Sequence, residues 1–308
     1  MRGSRIAGWG TALPEKVLTN ADLESMLDTS DEWIRERSGI RERRIGGSTA
    51  ALATDAARNA LAVAGDGPDV ELLMLATCTP DQHLPASAST VQQSLGLTCG
   101  ALDINAACSG FVYGLVMAHQ MVVGGMDRVV LIGSETMSRI IDWDDRGTAV
   151  LFGDGAGAVV LDAADGDDAG LLGYDLGSDG SLRHILDAEI GGYIHMDGKE
   201  VFRRAVRVMI ESSRKAMRMA GVTADEIALL VPHQANIRII ESANAKLGIP
   251  MERTVSVLDR TGNTSSASVP LALADAADAG RLQRGDLVLF TGFGAGMTWA
   301  SAVLRWDP

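Results

Sequence analysis

Three short segments carry side chains able to do nucleophilic and polar chemistry. They are Asn105-Ala106-Ala107-Cys108-Ser109-Gly110-Phe111, Pro232-His233-Gln234-Ala235-Asn236 and Arg260-Thr261-Gly262-Asn263-Thr264-Ser265. Cys108 falls between an apolar strand pattern at 100–104 and a long apolar helix pattern at 111–123. A thiol at such an elbow lies near unpaired backbone N–H groups, which favour negative charge. Its pKa is expected to fall, and the thiolate is the nucleophile. Each residue also has a plainer reading when taken alone. Cys108 could be a small packing residue, His233 a capped loop residue and Asn263 a turn residue. The later two segments each follow an apolar strand pattern and each place a polar side chain at a turn, which favours one composite site.

The elements that must position these residues alternate. The periodicity predicts strands at 5–8, 71–76, 101–104, 128–133, 156–162, 228–231, 287–291 and 300–306. It predicts helices at 20–27, 31–38, 51–63, 86–95, 108–123, 199–219, 236–247 and 266–278. Asn20 and Ser30 are expected N-caps, and Gly39, Gly221 and Gly248 are expected helix stops. Strands alternating with helices argue for largely parallel sheets covered on both faces. Two segment pairs also echo each other: 69–77 with 225–232, and 152–161 with 293–304. They suggest two related halves, 1–165 carrying Cys108 and 166–308 carrying His233 and Asn263, joined near the polar stretch 163–169.

Composition sets wider bounds. Hydrophobic residues make up 46% of the chain, enough for a sizeable core, and aromatics only 4%, so Ala, Val, Leu and Met must fill it. No apolar run reaches the roughly 20 residues that span a bilayer. The start, Met1-Arg2-Gly3-Ser4, leads straight into a strand pattern without a signal-peptide apolar region. Three Cys at unrelated spacings make neither a disulfide framework nor a metal pattern, so a reducing, cytoplasmic setting is the default. A formal charge of −13 disfavours nucleic acid as a partner. His83, His119, His184 and His195 read as structural, and Cys78 and Cys99 as packing residues.

The ordered motifs resemble a family. Thr29-Ser30-Asp31-Glu32-Trp33-Ile34, Ser38-Gly39-Ile40-Arg41-Glu42-Arg43, Ala106-Ala107-Cys108-Ser109-Gly110-Phe111, Asp145-Arg146-Gly147-Thr148, Phe152-Gly153-Asp154-Gly155-Ala156-Gly157-Ala158, His233-Gln234-Ala235-Asn236 and Gly262-Asn263-Thr264-Ser265 follow one another as in the β-ketoacyl-[acyl-carrier-protein] synthase III family. The resemblance runs over nearly the whole chain. It implies a thiolase-like α/β fold, a layered αβαβα sandwich of two duplicated halves. It implies an acyltransferase that condenses an acyl-CoA starter with malonyl-acyl carrier protein by decarboxylative Claisen chemistry, starting fatty-acid synthesis, with no metal or redox cofactor. A symmetric homodimer is implied, with the strand at 101–104 near its dyad. Relatives differ in their catalytic sets: elongating synthases use Cys with two His, and thiolases a second Cys near the C-terminal end. Here no Cys follows Cys108.

The resemblance also implies roles. Cys108 would be the nucleophile, with His233 and Asn263 donating to the malonyl thioester oxygen as it becomes an enolate. The N–H groups of Cys108 and Ala295 would form the oxyanion hole. Coenzyme A would meet Thr29, Trp33, Arg37, Arg146, Gly147, Phe202 and Asn236. The carrier protein would meet Arg203, Gln234, Ala235, Asn236, Ile237, Arg238 and Lys246, beside a basic helix pattern at 199–218. Leu84 and Phe293 would close the acyl pocket. Two departures stand out: the turn Thr291-Gly292-Phe293-Gly294-Ala295-Gly296-Met297 has Ala295 where an all-Gly run is common, and Leu84 stands where an aromatic is common. Two alternatives remain open at this point. One is a starter-loading or acyl-transferring relative of a polyketide or secondary pathway; the other is a non-catalytic subunit, which the intact Cys, His and Asn disfavour.

Overall fold

The computed structural model describes residues 2–166 and 170–308, so part of the expected connection at 163–169 lies outside the described residues. Two mixed sheets form the frame. The first runs Arg2–Ala12, Asp154–Asp165, Arg128–Thr136, Leu72–Ala76, Gly100–Ile104 in spatial order. The second runs Ile227–Pro232, Leu287–Gly294, Thr298–Arg305, Gly170–Ser178.

The sheets repeat one pattern. In each, the N-terminal strand pairs antiparallel with the last, the last antiparallel with the one before it, and that one parallel with an earlier strand. The first sheet adds Gly100–Ile104 in parallel at its edge. The second has only an isolated parallel bridge, Leu230 to Thr254, at the equivalent edge. The expectation of largely parallel sheets is therefore corrected. The hairpin of Leu287–Gly294 with Thr298–Arg305, and the strands laid against the first strand of each sheet, contribute antiparallel pairs.

Two helices lie between the sheets, Gly110–Val123 and Ser268–Asp278. Their apolar side chains, including Phe111, Leu115, Val269 and Leu273, join one core with Val129, Leu131 and Val159 of one sheet and Val288, Phe290 and Leu304 of the other. Ser268–Asp278 is buried along most of its length, as a helix covered on both sides must be. Small residues permit this close packing. A side chain at Gly133 would come within 2.5 Å of the Ser266 carbonyl, and one at Gly157 within 2.8 Å of Leu271 N. Thr49–Ala64 and Ser87–Ser94 cover the outer face of the first sheet, and Gly198–Ala220 and Ile237–Leu247 that of the second. The layers are helix, sheet, helix, sheet, helix.

Local signals place most helix ends. Ser30 caps Asp31–Ser38, and Gly39, Gly221 and Gly248 end their helices with φ of 84°, 70° and 77°. The first helix differs from expectation: Thr19 is its N-cap, in a capping box with Asp22, and Asn20 is its first residue. Gly170–Ser178 was not expected as a strand, because its glycines break the alternation that marks one.

Candidate active site

The two central helices begin side by side, and the chemistry sits in the turns that lead into them. Ala107–Ser109 precedes Gly110–Val123, and Ser265–Ala267 precedes Ser268–Asp278. Ala107 and Ser265 have φ of 48° and 49°, the only positive values among described non-glycine residues. Such left-handed backbone is held by its surroundings at a cost of about 1–3 kcal/mol. The turns open on a cavity of about 1160 Å³ whose walls include Cys108, His233, Asn263, Phe293 and Ala295.

Cys108 is 8% exposed. Its thiol was expected to be acidified by the helix start; burial outweighs that and pushes it up to about 12. A hydrogen bond with Ser265 opposes the rise, and the charge of Glu135 adds to it. The elbow is locked to the C-terminal turn. Ser109 Oγ lies 2.8 Å from Thr298 Oγ1, which is 2.9 Å from the Ala106 carbonyl and 3.1 Å from the Ala295 carbonyl. Glycine is required at 294, where a Cβ would stand 2.5 Å from Cys108 N. That close approach sets the turn that begins at Gly294 against the backbone of Cys108.

Asn263 is fixed by backbone and side chain together. It bridges Phe152 in parallel, its N–H donating to Leu151 at 2.8 Å and its carbonyl accepting from Gly153 at 3.0 Å. Its side-chain Oδ1 accepts from the Ser265 N–H at 2.9 Å. A backbone N–H only donates, so the amide oxygen is committed to the turn and Nδ2 is left for the cavity.

His233 is 1% exposed, and burial pushes its pKa down to about 3, so the ring is neutral. Its Nδ1 is 2.6 Å from Ser268 Oγ. That oxygen is also 2.8 Å from the Ser265 carbonyl and 3.3 Å from the Gln234 N–H. A carbonyl only accepts, so the one hydroxyl proton of Ser268 goes to Ser265. The Ser268 oxygen then accepts from Gln234 N–H and from His233 Nδ1–H. Nε2 is left with its lone pair. Phe293 packs edge-on against the ring, centroids 5.5 Å apart at 71°. Phe293 thus lines the cavity as expected, with its ring braced on His233.

Other expected contacts divide. Trp33, Arg37, Gly147, Phe202, Ala235, Asn236 and Arg238 line the cavity. Arg37 and Arg146 lie over the Trp33 ring at 4.8 and 4.9 Å. Thr29 is not in the cavity wall, and its Oγ1 is buried without a hydrogen-bond partner. Leu84 is 86% exposed and does not line the cavity of its own chain. Gln234 is corrected. It is fully buried, its Nε2 donates to Pro232 and Val255 carbonyls and its Oε1 accepts from Val257 N–H, so it offers nothing to a docking partner. Asn236 caps Ile237–Leu247 and donates to the Arg37 carbonyl at 2.8 Å, and Ile237 packs among apolar neighbours. Arg203 is paired with Glu200 at 2.7 Å, whereas Arg238 and Lys246 have no carboxylate partner among the described residues.

Cys78, expected to be a packing residue, lines the cavity with Cys108. Its Sγ lies 3.3 Å from Glu135 and 3.6 Å from Ser265 Oγ. Glu135 is fully buried and accepts from the Thr77 and Thr79 hydroxyls, the Cys78 and Thr79 N–H groups and the Ser266 hydroxyl. Glu135, Ser265, Ser268 and Thr298 were all missed. Glu135, Ser268 and Thr298 act through contacts between segments far apart in sequence, and Ser265 through a local turn at 263–268, where the density of serines is the one signal in the sequence.

Comparisons with known proteins agree over the full chain. Residues 102–180 match the family described as 3-oxoacyl-[acyl-carrier-protein] synthase III, and residues 217–306 match its C-terminal part. The β-ketoacyl-[acyl-carrier-protein] synthase III of Roseiflexus castenholzii is 51% identical over 323 residues, covering 98% of each chain. The solved 3-oxoacyl-[acyl-carrier-protein] synthase III of Aquifex aeolicus superposes with a TM-score of 0.96 at 46% identity, covering 99% of this chain and 100% of that one. The priming β-ketosynthase of the R1128 polyketide pathway superposes at 0.93 with 36% identity, covering 99% and 97%.

Proposed function

The chain belongs to the β-ketoacyl-[acyl-carrier-protein] synthase III family, and from that premise we propose how its residues divide the work. The enzyme is an acyltransferase. It condenses an acyl-CoA starter with malonyl-acyl carrier protein, releases carbon dioxide and coenzyme A, and leaves a β-ketoacyl-carrier protein that begins a fatty-acid chain.

Cys108 is the nucleophile. Its thiol is held neutral by burial, so it needs a base when it attacks. The lone pair on His233 Nε2 takes the thiol proton as the sulfur bonds to the acyl carbon and the carbon–sulfur bond to coenzyme A breaks. Coenzyme A leaves as a thiolate and takes its proton from solvent. The N–H groups of Cys108 and Ala295 hold the carbonyl oxygen through the tetrahedral stage. In the second half-reaction malonyl thioester loses carbon dioxide. Asn263 Nδ2 and the protonated His233 Nε2 donate to the resulting enolate oxygen. The enolate carbon attacks the acyl-Cys108 carbonyl, the thioester bond breaks, and the thiolate recovers the proton from His233. One proton is consumed overall, and the chemistry calls for no metal or redox cofactor.

The mouth carries the substrates. Trp33, between Arg37 and Arg146, offers a flat ring and two guanidinium groups to the adenine and phosphates of coenzyme A, with Phe202 and Gly147 alongside. Arg238 and Lys246 offer unpaired positive charge to an acidic carrier protein. A homodimer belongs to the same reading. Gly100–Ile104 ends the first sheet with one unpaired, half-exposed side, a liability unless another strand or chain covers it. The repeated strand order supports a division into halves at 1–165 and 166–308, and three free cysteines are in keeping with a cytoplasmic setting.

The observation that carries the proposal is the shared turn 263–268, which holds the Asn263 amide oxygen and the His233 Nδ1, two residues that line one cavity with Cys108. The test is a panel of acyl-CoA starters with malonyl-carrier protein, reading Cys108 adduct mass, carbon dioxide release and product mass. Adduct on Cys108 followed by a β-ketoacyl product is expected, and Cys108→Ala abolishes both. Adduct without carbon dioxide release would instead indicate a starter-transferring enzyme, the reading that the likeness to a priming β-ketosynthase favours.

A further inference from the structure

We infer that Ser268 is a positioning residue for the condensation: its hydroxyl selects the His233 tautomer that leaves Nε2 free to accept the Cys108 proton. The inference rests on the catalytic reading above. Its ground is a hydrogen-bond count. Ser268 is fully buried at the first turn of the central helix Ser268–Asp278, with no route to solvent for its hydroxyl. Three partners surround its oxygen: the Ser265 carbonyl at 2.8 Å, the Gln234 N–H at 3.3 Å and His233 Nδ1 at 2.6 Å. A hydroxyl donates once and accepts twice. The carbonyl takes the donation and the N–H fills one acceptor position, so the last position can only receive a proton from Nδ1. Were the hydroxyl to turn toward Nδ1, a Ser268 lone pair would face the Ser265 carbonyl oxygen at 2.8 Å with no proton between them, and that carbonyl would keep only the Ser268 backbone N–H.

The same turn sets Asn263 with the opposite polarity. The Ser265 N–H holds Oδ1 and leaves Nδ2 as a donor. One turn, 263–268, therefore presents an acceptor and a donor to one cavity. The left-handed backbone of Ser265 makes this possible, because it sends the Ser265 N–H to Asn263 and its carbonyl to Ser268. The Gln234 side chain fixes the other side of the arrangement. It is tied to Pro232, Val255 and Val257, and so holds its own N–H on Ser268.

Nitrogen-15 NMR of histidine-labelled full-length enzyme reads which ring nitrogen carries the proton, with the His233 signal assigned by its loss in His233→Gln. The wild-type ring is expected to carry its proton on Nδ1 at neutral pH. In Ser268→Ala the Nδ1 proton loses its acceptor, and the ring should shift toward the Nε2–H form. Single-turnover acylation of Cys108 should then slow by about tenfold or more, the usual loss when a base is no longer oriented. Ser268→Thr, which keeps the hydroxyl, should restore the Nδ1–H signal and the acylation rate. An Nε2–H signal in the wild type, or an unchanged tautomer in Ser268→Ala, overturns the inference. The wild-type measurement decides it even if Ser268→Ala does not fold. Absence of any Cys108 adduct in the wild type would instead overturn the catalytic reading, so the two failures are distinct.

Discussion

Cys108 and His233 are neutral in the resting site for one reason: both are buried, and burial penalises their charged forms. In the proposed reaction the proton therefore moves between two groups that would otherwise keep their resting states. Asn263 is different, because an amide does not titrate and its donor is available at every pH. Removing it should separate the half-reactions. Asn263→Ala should still form the Cys108 thioester from acyl-CoA at close to the wild-type rate. Its decarboxylation of malonyl-carrier protein should fall about a hundredfold or more, the usual cost of one donor at a developing oxyanion. Adduct mass and carbon dioxide release, measured on the same preparation, decide the matter; an equal loss in both would show that Asn263 is not specific to the second step.

At the scale of elements, Gly198–Ala220 shows how a charge pattern misleads when partners are unseen. Its sequence carries seven Lys and Arg against two Glu, which reads as a docking patch. Folded, Glu200 takes Arg203 and Arg204, Glu211 takes Arg207, and Asp175 of the neighbouring strand takes Lys215. Lys199, Arg214 and Arg218 of that helix keep no carboxylate partner among the described residues, and on Ile237–Leu247 Arg238 lines the cavity, 5.9 Å from the Phe202 ring. Arg238→Glu should therefore slow the reaction with malonyl-carrier protein, by roughly tenfold at low salt, while leaving acylation by acyl-CoA less affected. Docking of this kind acts through association rate and is screened over about 8–10 Å at ordinary salt. The wild-type rate should fall as salt rises, and the variant should show a flatter response. Wild-type kinetics for Arg238→Glu at low salt would move the docking surface elsewhere. Arg203→Glu should matter less, because Arg203 already has Glu200.

For the whole molecule, the two neutral buried groups set a pH window of stability. His233 lies near 3 in the fold against 6.5 in the unfolded chain, so between those values the unfolded chain binds more protons and stability falls as pH drops. Cys108 lies near 12 against 9.0, so above 9 the unfolded chain releases a proton that the fold retains, and stability falls as pH rises. His119 acts in the same sense as His233, and Cys78 in the same sense as Cys108. Urea unfolding should give its highest midpoint between about pH 6.5 and 9. Cys108→Ala should make the alkaline limb shallower and His233→Asn the acidic limb. Limbs unchanged in both variants would mean that other groups set the window.

The sequence alone determined the layered class and picked out Cys108, His233 and Asn263, which the fold brings to the wall of one cavity, because these depend on local signals. Alternating apolar patterns mark the layers, glycine marks helix stops at 39, 221 and 248, and Cys, His and Asn each follow a strand at a turn. It misjudged the Cys108 thiol, because an elbow can be read from a few residues whereas burial depends on everything packed over it. It misplaced Gln234 for the same reason: burial is a property of the assembled chain. The mixed sheets, the pairing of Lys215 on Gly198–Ala220 with Asp175, and the neutral state of His233 were decided only by tertiary structure. Strand pairing, Asp175 at Lys215 and the burial of His233 each depend on segments distant in sequence, and such contacts are fixed only when the layers close.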